Sequence, residues 1–169
     1  VGDFGDVASL REASRAVAGV YLVLPLNYDR QEVVQWGKNA IDAAIEAQAP
    51  LLVFNTSAIV ADQPTGSVAI DIKVELEAYL KHVSIPSVVL RPTIYLGNLT
   101  APFAAPSIVN QGVLAYPIPS AQRVSWISWE DAAAYAIAAL KRPDLAARKP
   151  VYNIGGPKAV TGNELAAAI

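Results

Sequence analysis

The strongest constraint on this chain is a set of short segments with apolar residues on both faces. Residues 20-VYLVLPL-26 have no polar side to turn towards water, and 51-LLVFNTSA-58 and 87-SVVLRP-92 begin in the same way. A strand of that kind must be covered by other elements above and below. Helical patterns separate the three. Asp29 with Glu32 reads as a capping box that opens a helix running to about Gln48. Val33, Val34, Gly37, Ile41, Ala44 and Ile45 form its apolar stripe, and Pro50 ends it. A loop with Pro64 and Gly66 leads into a second helix, about Val68 to His82. Strand, helix, strand, helix with apolar strands predicts an α/β fold, a parallel sheet with helices on both faces.

The flanking sequence extends this layout. Asp6 can cap a helix over about Val7 to Ala18, with Gly19 as its stop. The Pro- and Ala-rich stretch from Leu99 to Gln122 breaks the alternation, and predicts a short helix at Ala104 to Gln111 and a strand at 113-VLAY-116. Ser128 can cap a helix from Trp129 to Leu140, whose alanines suit close packing on a sheet. A strand at 151-VYNI-154, a Gly155-Gly156-Pro157 turn and a Thr161/Glu164 capping box complete the chain. No repeat or linker divides it, so one domain is expected over residues 1–169.

Composition excludes several function classes. With 53% hydrophobic and 17% charged residues the chain is not disordered. A net charge of −2 offers no basic surface for nucleic acid. No apolar run reaches the roughly 18 residues of a membrane helix, and a cytoplasmic protein is expected. There is no cysteine, and His82 is the only histidine, so thiolate catalysis, a multi-histidine metal site and a histidine triad are poor readings, and no metal is expected. The chain has no methionine and opens on Val1-Gly2-Asp3, which reads as an internal piece of a longer protein or a gene that lost its start.

Chemistry is expected at the carboxyl ends of the strands, where open parallel sheets bind ligands. No G-x-G-x-x-G or G-x-x-x-x-G-K motif occurs. The polar groups at the strand ends are Asn27, then Asn55-Thr56-Ser57, then Arg91 and Thr93 with Tyr95 and Asn98 just beyond. The plainer alternative is that these residues start loops and satisfy backbone groups. Lys73 lies near the buried stripe of its helix, as a positioned donor or a base of lowered pKa, or else as a snorkelling lysine paired with Glu77. His82 is assigned to a helix C-terminus and Trp126 and Trp129 to packing around a turn.

Taken in order, 2-GDFGDVASLREA-13, 20-VYLVLP-25, 38-KNAIDAAIEA-47, 51-LLVFNTSA-58, 73-KVELEAYL-80, 90-LRPTIYLGN-98, 126-WISWEDAAAYA-136 and 161-TGNELAAAI-169 resemble the NmrA-like family. That family belongs to the atypical, extended short-chain dehydrogenase/reductase superfamily of NAD(P)-binding Rossmann proteins. The resemblance implies a partial doubly wound, Rossmann-like sheet with part of a small C-terminal substrate lobe, to which Leu99–Gln122 and the C-terminal part belong. It also implies that the Gly-rich pyrophosphate turn lies upstream of Val1, so that NADP or NAD is bound by the full-length parent and not by this chain alone.

The same resemblance implies roles residue by residue. Asp3 and the Phe4 backbone correspond to an adenine contact, and Leu24 and Pro25 to the wall of the cofactor ribose. Ser57 stands beside the nicotinamide, and Lys73 grips its ribose or acts as a base. Pro92, Thr93 and Ile94 pack against the nicotinamide, and Tyr95 and Asn98 face the substrate. The tyrosine of the family's Tyr-x-x-x-Lys pair is Ala69 here. The implied activity is an NAD(P)H-dependent quinone- or enone-type reductase acting on a small molecule. The alternatives are a non-catalytic NAD(P) redox sensor or a fragment that binds no ligand. Without a neighbour, the strand Val20 to Leu24 is expected to expose an apolar edge and drive self-association.

Overall fold

The computed structural model describes residues 2–169. Its centre is a four-stranded sheet of β1 (Val20–Val23), β2 (Leu52–Asn55), β3 (Ser87–Pro92) and β6 (Val151–Ile154), side by side in that order. All neighbours are parallel, with Val20 opposite Leu52, Leu52 opposite Ser87, and Val89 opposite Val151. This is the doubly wound arrangement expected from the apolar segments. Helices α2 (Arg30–Glu46) and α3 (Val68–His82) cover one face, where Leu22, Leu52, Phe54 and Val89 meet Val33, Ile41, Ile72 and Leu76. Helices α5 (Trp129–Leu140) and α6 (Pro143–Ala146) cover the other, where Val53, Val88 and Leu90 meet Ala132, Ala136 and Ala146.

Local signals account for several boundaries. The Asp6 carboxylate accepts from the N–H groups of Ala8 and Ser9 and opens α1 (Val7–Ala13). That helix ends earlier than expected, because Ala16 turns left-handed at φ 55°. The Asp29–Glu32 box is half formed. Asp29 accepts from the Glu32 N–H, but the Glu32 carboxylate takes the Asn27 amide instead of returning to Asp29. Both halves of the Thr161/Glu164 box are present at α7 (Gly162–Ala166). Among the described residues His82 makes no capping bond. The ammonium of Lys149 reaches the last carbonyls of α3, with Leu80 O at 3.0 Å.

Two expectations about strands are corrected. Residues 113–116 form no strand, because the Val113 N–H is taken by Ser107 O at the end of α4 (Ala105–Gln111) and Pro117 and Pro119 follow. A small second sheet is built instead from β4 (Ile94–Tyr95), β5 (Val124–Ile127) and β7 (Ala159–Val160). A 3-10 turn over Leu96–Thr100 follows β4. Strand β1 is also covered on one face only. Leu22 is buried, but Tyr21 and Val23 are 43% and 39% exposed, since α5 packs chiefly on β2 and β3 and only grazes β1.

Helix α3 is held tightly against its neighbours. A Cβ on Gly37 of α2 would lie 2.5 Å from the Leu76 methyls, so any larger residue there would push this buried side chain aside. Beside it, the buried Glu77 carboxylate accepts both arms of Arg91 on β3, Nε at 2.8 Å and Nη2 at 2.6 Å. This pair fixes the height of α3 against β3. Glu77→Ala leaves the largely buried Arg91 with only the exposed Asp62 at 3.9 Å as a counter-charge, and is expected to cost about 3 kcal/mol in urea unfolding. Replacing both partners together, Glu77→Leu with Arg91→Met, is expected to recover most of that loss. Equal stability of Glu77→Ala and the wild type would show that the pair does not fix the helix.

Candidate functional site

The carboxyl ends of β1 and β2 open into a cleft of about 480 Å³. The loop after β1 supplies Leu24 and Pro25, and the N-terminal turns of α3 supply Ala69 and Lys73. Ser57 follows β2, while Tyr95 and Asn98 reach in from β4 and the turn after it. A second cleft of about 510 Å³ adjoins it, lined by Thr93, Ile94, Tyr116, Arg123 and Ser125 among others. Ser57, Tyr95 and Asn98 border both clefts and mark their junction.

Most residues singled out in the sequence therefore meet here. Pro92 does not line either cleft; it is buried as the last residue of β3, opposite Ile154. Asp3 and Phe4 lie elsewhere. The Asp3 carboxylate accepts the Gly5 N–H in a tight local turn, and Phe4 stacks on Trp36 with ring centres 6.2 Å apart. Phe4 borders a groove beside the open edge of β1 rather than the cleft.

Lys73 is half-buried in the cleft wall. Among the described residues no carboxylate lies within ion-pair distance of it, because Glu77, its i+4 neighbour, is occupied by Arg91. The reading of Lys73 as a snorkelling lysine paired with Glu77 is thereby overturned. Burial alone lowers the Lys73 pKa from its ordinary 10.5.

Asn55 is the polar hub of the site. It is 3% exposed, and its amide donates to the Tyr21 hydroxyl at 2.6 Å and the Tyr95 hydroxyl at 2.9 Å. Its carbonyl oxygen accepts the Ser57 N–H at 2.8 Å, holding Ser57 in a left-handed turn at φ 59°. Thr56 is consumed structurally, donating to Ala58 O and Leu90 O. Thr93 Oγ1 is buried and has no hydrogen-bond partner among the described residues.

Sequence reasoning missed an aromatic wall that spans the two clefts: Phe103 lines the first, Tyr116 the second, and Trp126 packs against Tyr116. Phe103, Tyr116 and Trp126 form an aromatic chain, with Tyr116 edge-on to Trp126 at 5.1 Å, and the Asn98 amide donates to the Tyr116 hydroxyl at 2.9 Å. The available signal was three large rings within the small-residue region around 99–126. Close packing behind this wall depends on Gly156, where a Cβ would lie 2.0 Å from the Trp126 carbonyl oxygen. Among the described residues no group of three acidic or histidine side chains could hold a metal ion, and no helix is long and apolar enough to cross a membrane.

This architecture, a Rossmann-like parallel sheet with a cleft at its carboxyl edge, agrees with the comparisons. The chain belongs to the NmrA-like family, whose model matches residues 1–169. No curated protein matches the sequence. Among solved structures, a nucleoside-diphosphate-sugar epimerase from Staphylococcus aureus aligns with a TM-score of 0.76 at 21% identity, over 98% of this chain and 57% of its own. An NADPH-dependent quinone oxidoreductase from Escherichia coli, solved with NADPH, aligns with a TM-score of 0.73 at 26% identity, over 98% of this chain and 56% of its own. A triphenylmethane reductase from Citrobacter, solved with NADP(H), aligns with a TM-score of 0.66 at 17% identity, over 97% and 55%. The chain thus spans little more than half the length of these structures.

The lowered pKa of Lys73 gives a sign for stability. The folded state releases this proton more readily than the unfolded chain, whose value is the ordinary 10.5. The penalty for holding a half-buried cation is therefore full below the folded pKa and gone above the unfolded one. Lys73→Met is expected to melt at a higher temperature than the wild type at neutral pH, with the gap closing as pH rises towards 10.5. A less stable variant at neutral pH would return Lys73 to an ordinary structural role.

Proposed function

We propose that the full-length protein binds NAD(P)H and acts as an oxidoreductase on a small carbonyl or quinone substrate. The observation that carries this reading is Lys73, a half-buried ammonium with no counter-charge among the described residues, in a cleft shared with Ser57 at the ends of the parallel strands. A cation left so needs a ligand rich in acceptor oxygens to offset its desolvation.

The residues present suit the ribose and nicotinamide part of such a cofactor. Lys73 supplies donors for ribose hydroxyls, and Leu24 and Pro25 supply an apolar wall. Ser57, at the junction of the two clefts, supplies a hydroxyl for the carboxamide. When bound, the cofactor supplies a hydride. The chain's own residues hold and orient it, and Phe103 in the first cleft and Tyr116 in the second place apolar surface beside the reacting faces, which limits water there. No Gly-rich phosphate loop occurs in the sequence, so tight binding rests on residues beyond this chain. The NADPH-bound quinone oxidoreductase, at 26% identity, supports the quinone reading, which remains this proposal's own.

A second reading, a dinucleotide sensor, draws on Ala69. It lines the cleft one helical turn before Lys73 and offers no hydroxyl for proton exchange. Fluorescence titration of the full-length protein with NADPH and NADH, followed by turnover with para-benzoquinone, separates the two. Binding with turnover is expected, and Lys73→Met is expected to weaken binding at least about tenfold, the equivalent of about 1.4 kcal/mol. Binding without turnover would favour the sensor; no binding by the full-length protein would contradict both.

A further inference from the structure

We propose that Tyr95 is the proton donor of this site, taking over at the cleft junction the task that Ala69 cannot perform; this rests on the oxidoreductase reading above. A reduced carbonyl or quinone oxygen must receive a proton where the cofactor side and the substrate side meet. The groups bordering both clefts are Ser57, Tyr95 and Asn98. An aliphatic hydroxyl and a carboxamide are far too weak as acids at neutral pH. A phenol is the one group of the three that can give up a proton on the time scale of turnover.

The hydrogen bonds around Tyr95 leave that proton free. Its oxygen accepts the Asn55 amide N–H at 2.9 Å. The hydroxyl's own donation to Asn55 Oδ1 is long, 3.4 Å, against about 2.5–3.0 Å for a good O–H···O bond. That oxygen is already engaged by the Ser57 N–H at 2.8 Å. Asn55 therefore orients the phenol and donates to its oxygen, which stabilises the phenolate left after transfer. Tyr116 is the competing phenol, but it lines the substrate side and not the junction.

The step balances. The substrate carbonyl gains a hydride from the reduced nicotinamide dinucleotide, which is oxidised, and the substrate is reduced by two electrons. The Tyr95 O–H bond breaks as a new O–H bond forms on the substrate oxygen, and the phenolate regains a proton from water. Burial raises the Tyr95 pKa above its ordinary 10.0, while the Asn55 hydrogen bond acts in the opposite direction.

The test uses the full-length protein with NADPH and para-benzoquinone. Tyr95→Phe removes only the hydroxyl. It is expected to keep NADPH affinity, by fluorescence, within about twofold, and to lower kcat about a hundredfold with loss of the solvent deuterium isotope effect. A second readout needs no turnover. Alkaline titration followed by phenolate absorbance, wild type minus Tyr95→Phe, is expected to show a group ionising above an ordinary tyrosine, and Asn55→Ala is expected to move it higher still. Wild-type kcat in Tyr95→Phe, or a loss seen with Tyr116→Phe instead, would overturn the proton-donor assignment and leave the oxidoreductase reading standing. Failure of the wild type to bind NADPH would overturn that reading and the assignment with it.

Discussion

The cleft depends on the ion pair between Glu77 and Arg91. Helix α3 carries Lys73 one turn before Glu77, and β3 carries Arg91 just before Thr93, Ile94 and Tyr95. Two arms of the site are thus clamped through one buried, bidentate contact. Sliding α3 by a turn would leave a carboxylate 3% exposed with no cation, a far larger penalty than any apolar mismatch along the same interface. Gly37 of α2 leaves room for the buried Leu76 beside this pair, so the two helices meet closely next to it. The pair also removes Glu77 from the reach of Lys73, so the ammonium that faces the cleft is left without a counter-charge as a direct consequence of the packing.

The middle of the central sheet was legible in the sequence because both faces of β2 and β3 are buried. Strands β2 and β3 carry continuous apolar residues, and no other environment tolerates such runs at that length. Helix starts were legible because caps are local: Asp6, Asp29, Ser128 and Thr161 each accept from backbone N–H groups within their own first turn. The small sheet was not legible. Two of its strands are two residues long, too short for any periodicity, and they exist only because β5 brings them together. The exposed side of β1 was also out of reach, since exposure there depends on where α5 lies and not on residues 20–26 themselves.

The site divides in the same way. Residue types just past the strands pointed to Ser57, Tyr95 and Asn98, the buried stripe of a helix pointed to Lys73, and these do share a cleft. Their partners could not be read, because each partner is distant in the chain. Glu77 pairs with Arg91 rather than Lys73, the α3 terminus is capped by Lys149 rather than His82, and Asn55 ties Tyr21 to Tyr95 across the sheet. Asp3 and Phe4 went the other way. A local contact of Asp3 with Gly5 and a distant one of Phe4 with Trp36 place them away from the cleft. Membership of the NmrA-like family agrees with the parallel sheet, while the hydrogen bonds that tie Asn55 to Tyr21 and Tyr95 are visible only in the geometry of this chain.

The central claim is that the cleft at the ends of β1 and β2 receives the nicotinamide half of a dinucleotide. A crystal structure of the full-length protein with NADPH tests it most directly. The account predicts the nicotinamide ribose within about 3 Å of Lys73 Nζ, a hydrogen-bonding distance, with the ring between Ser57 and Thr93. A dinucleotide bound away from this cleft, or Lys73 turned to solvent with the ribose held by other groups, would contradict it.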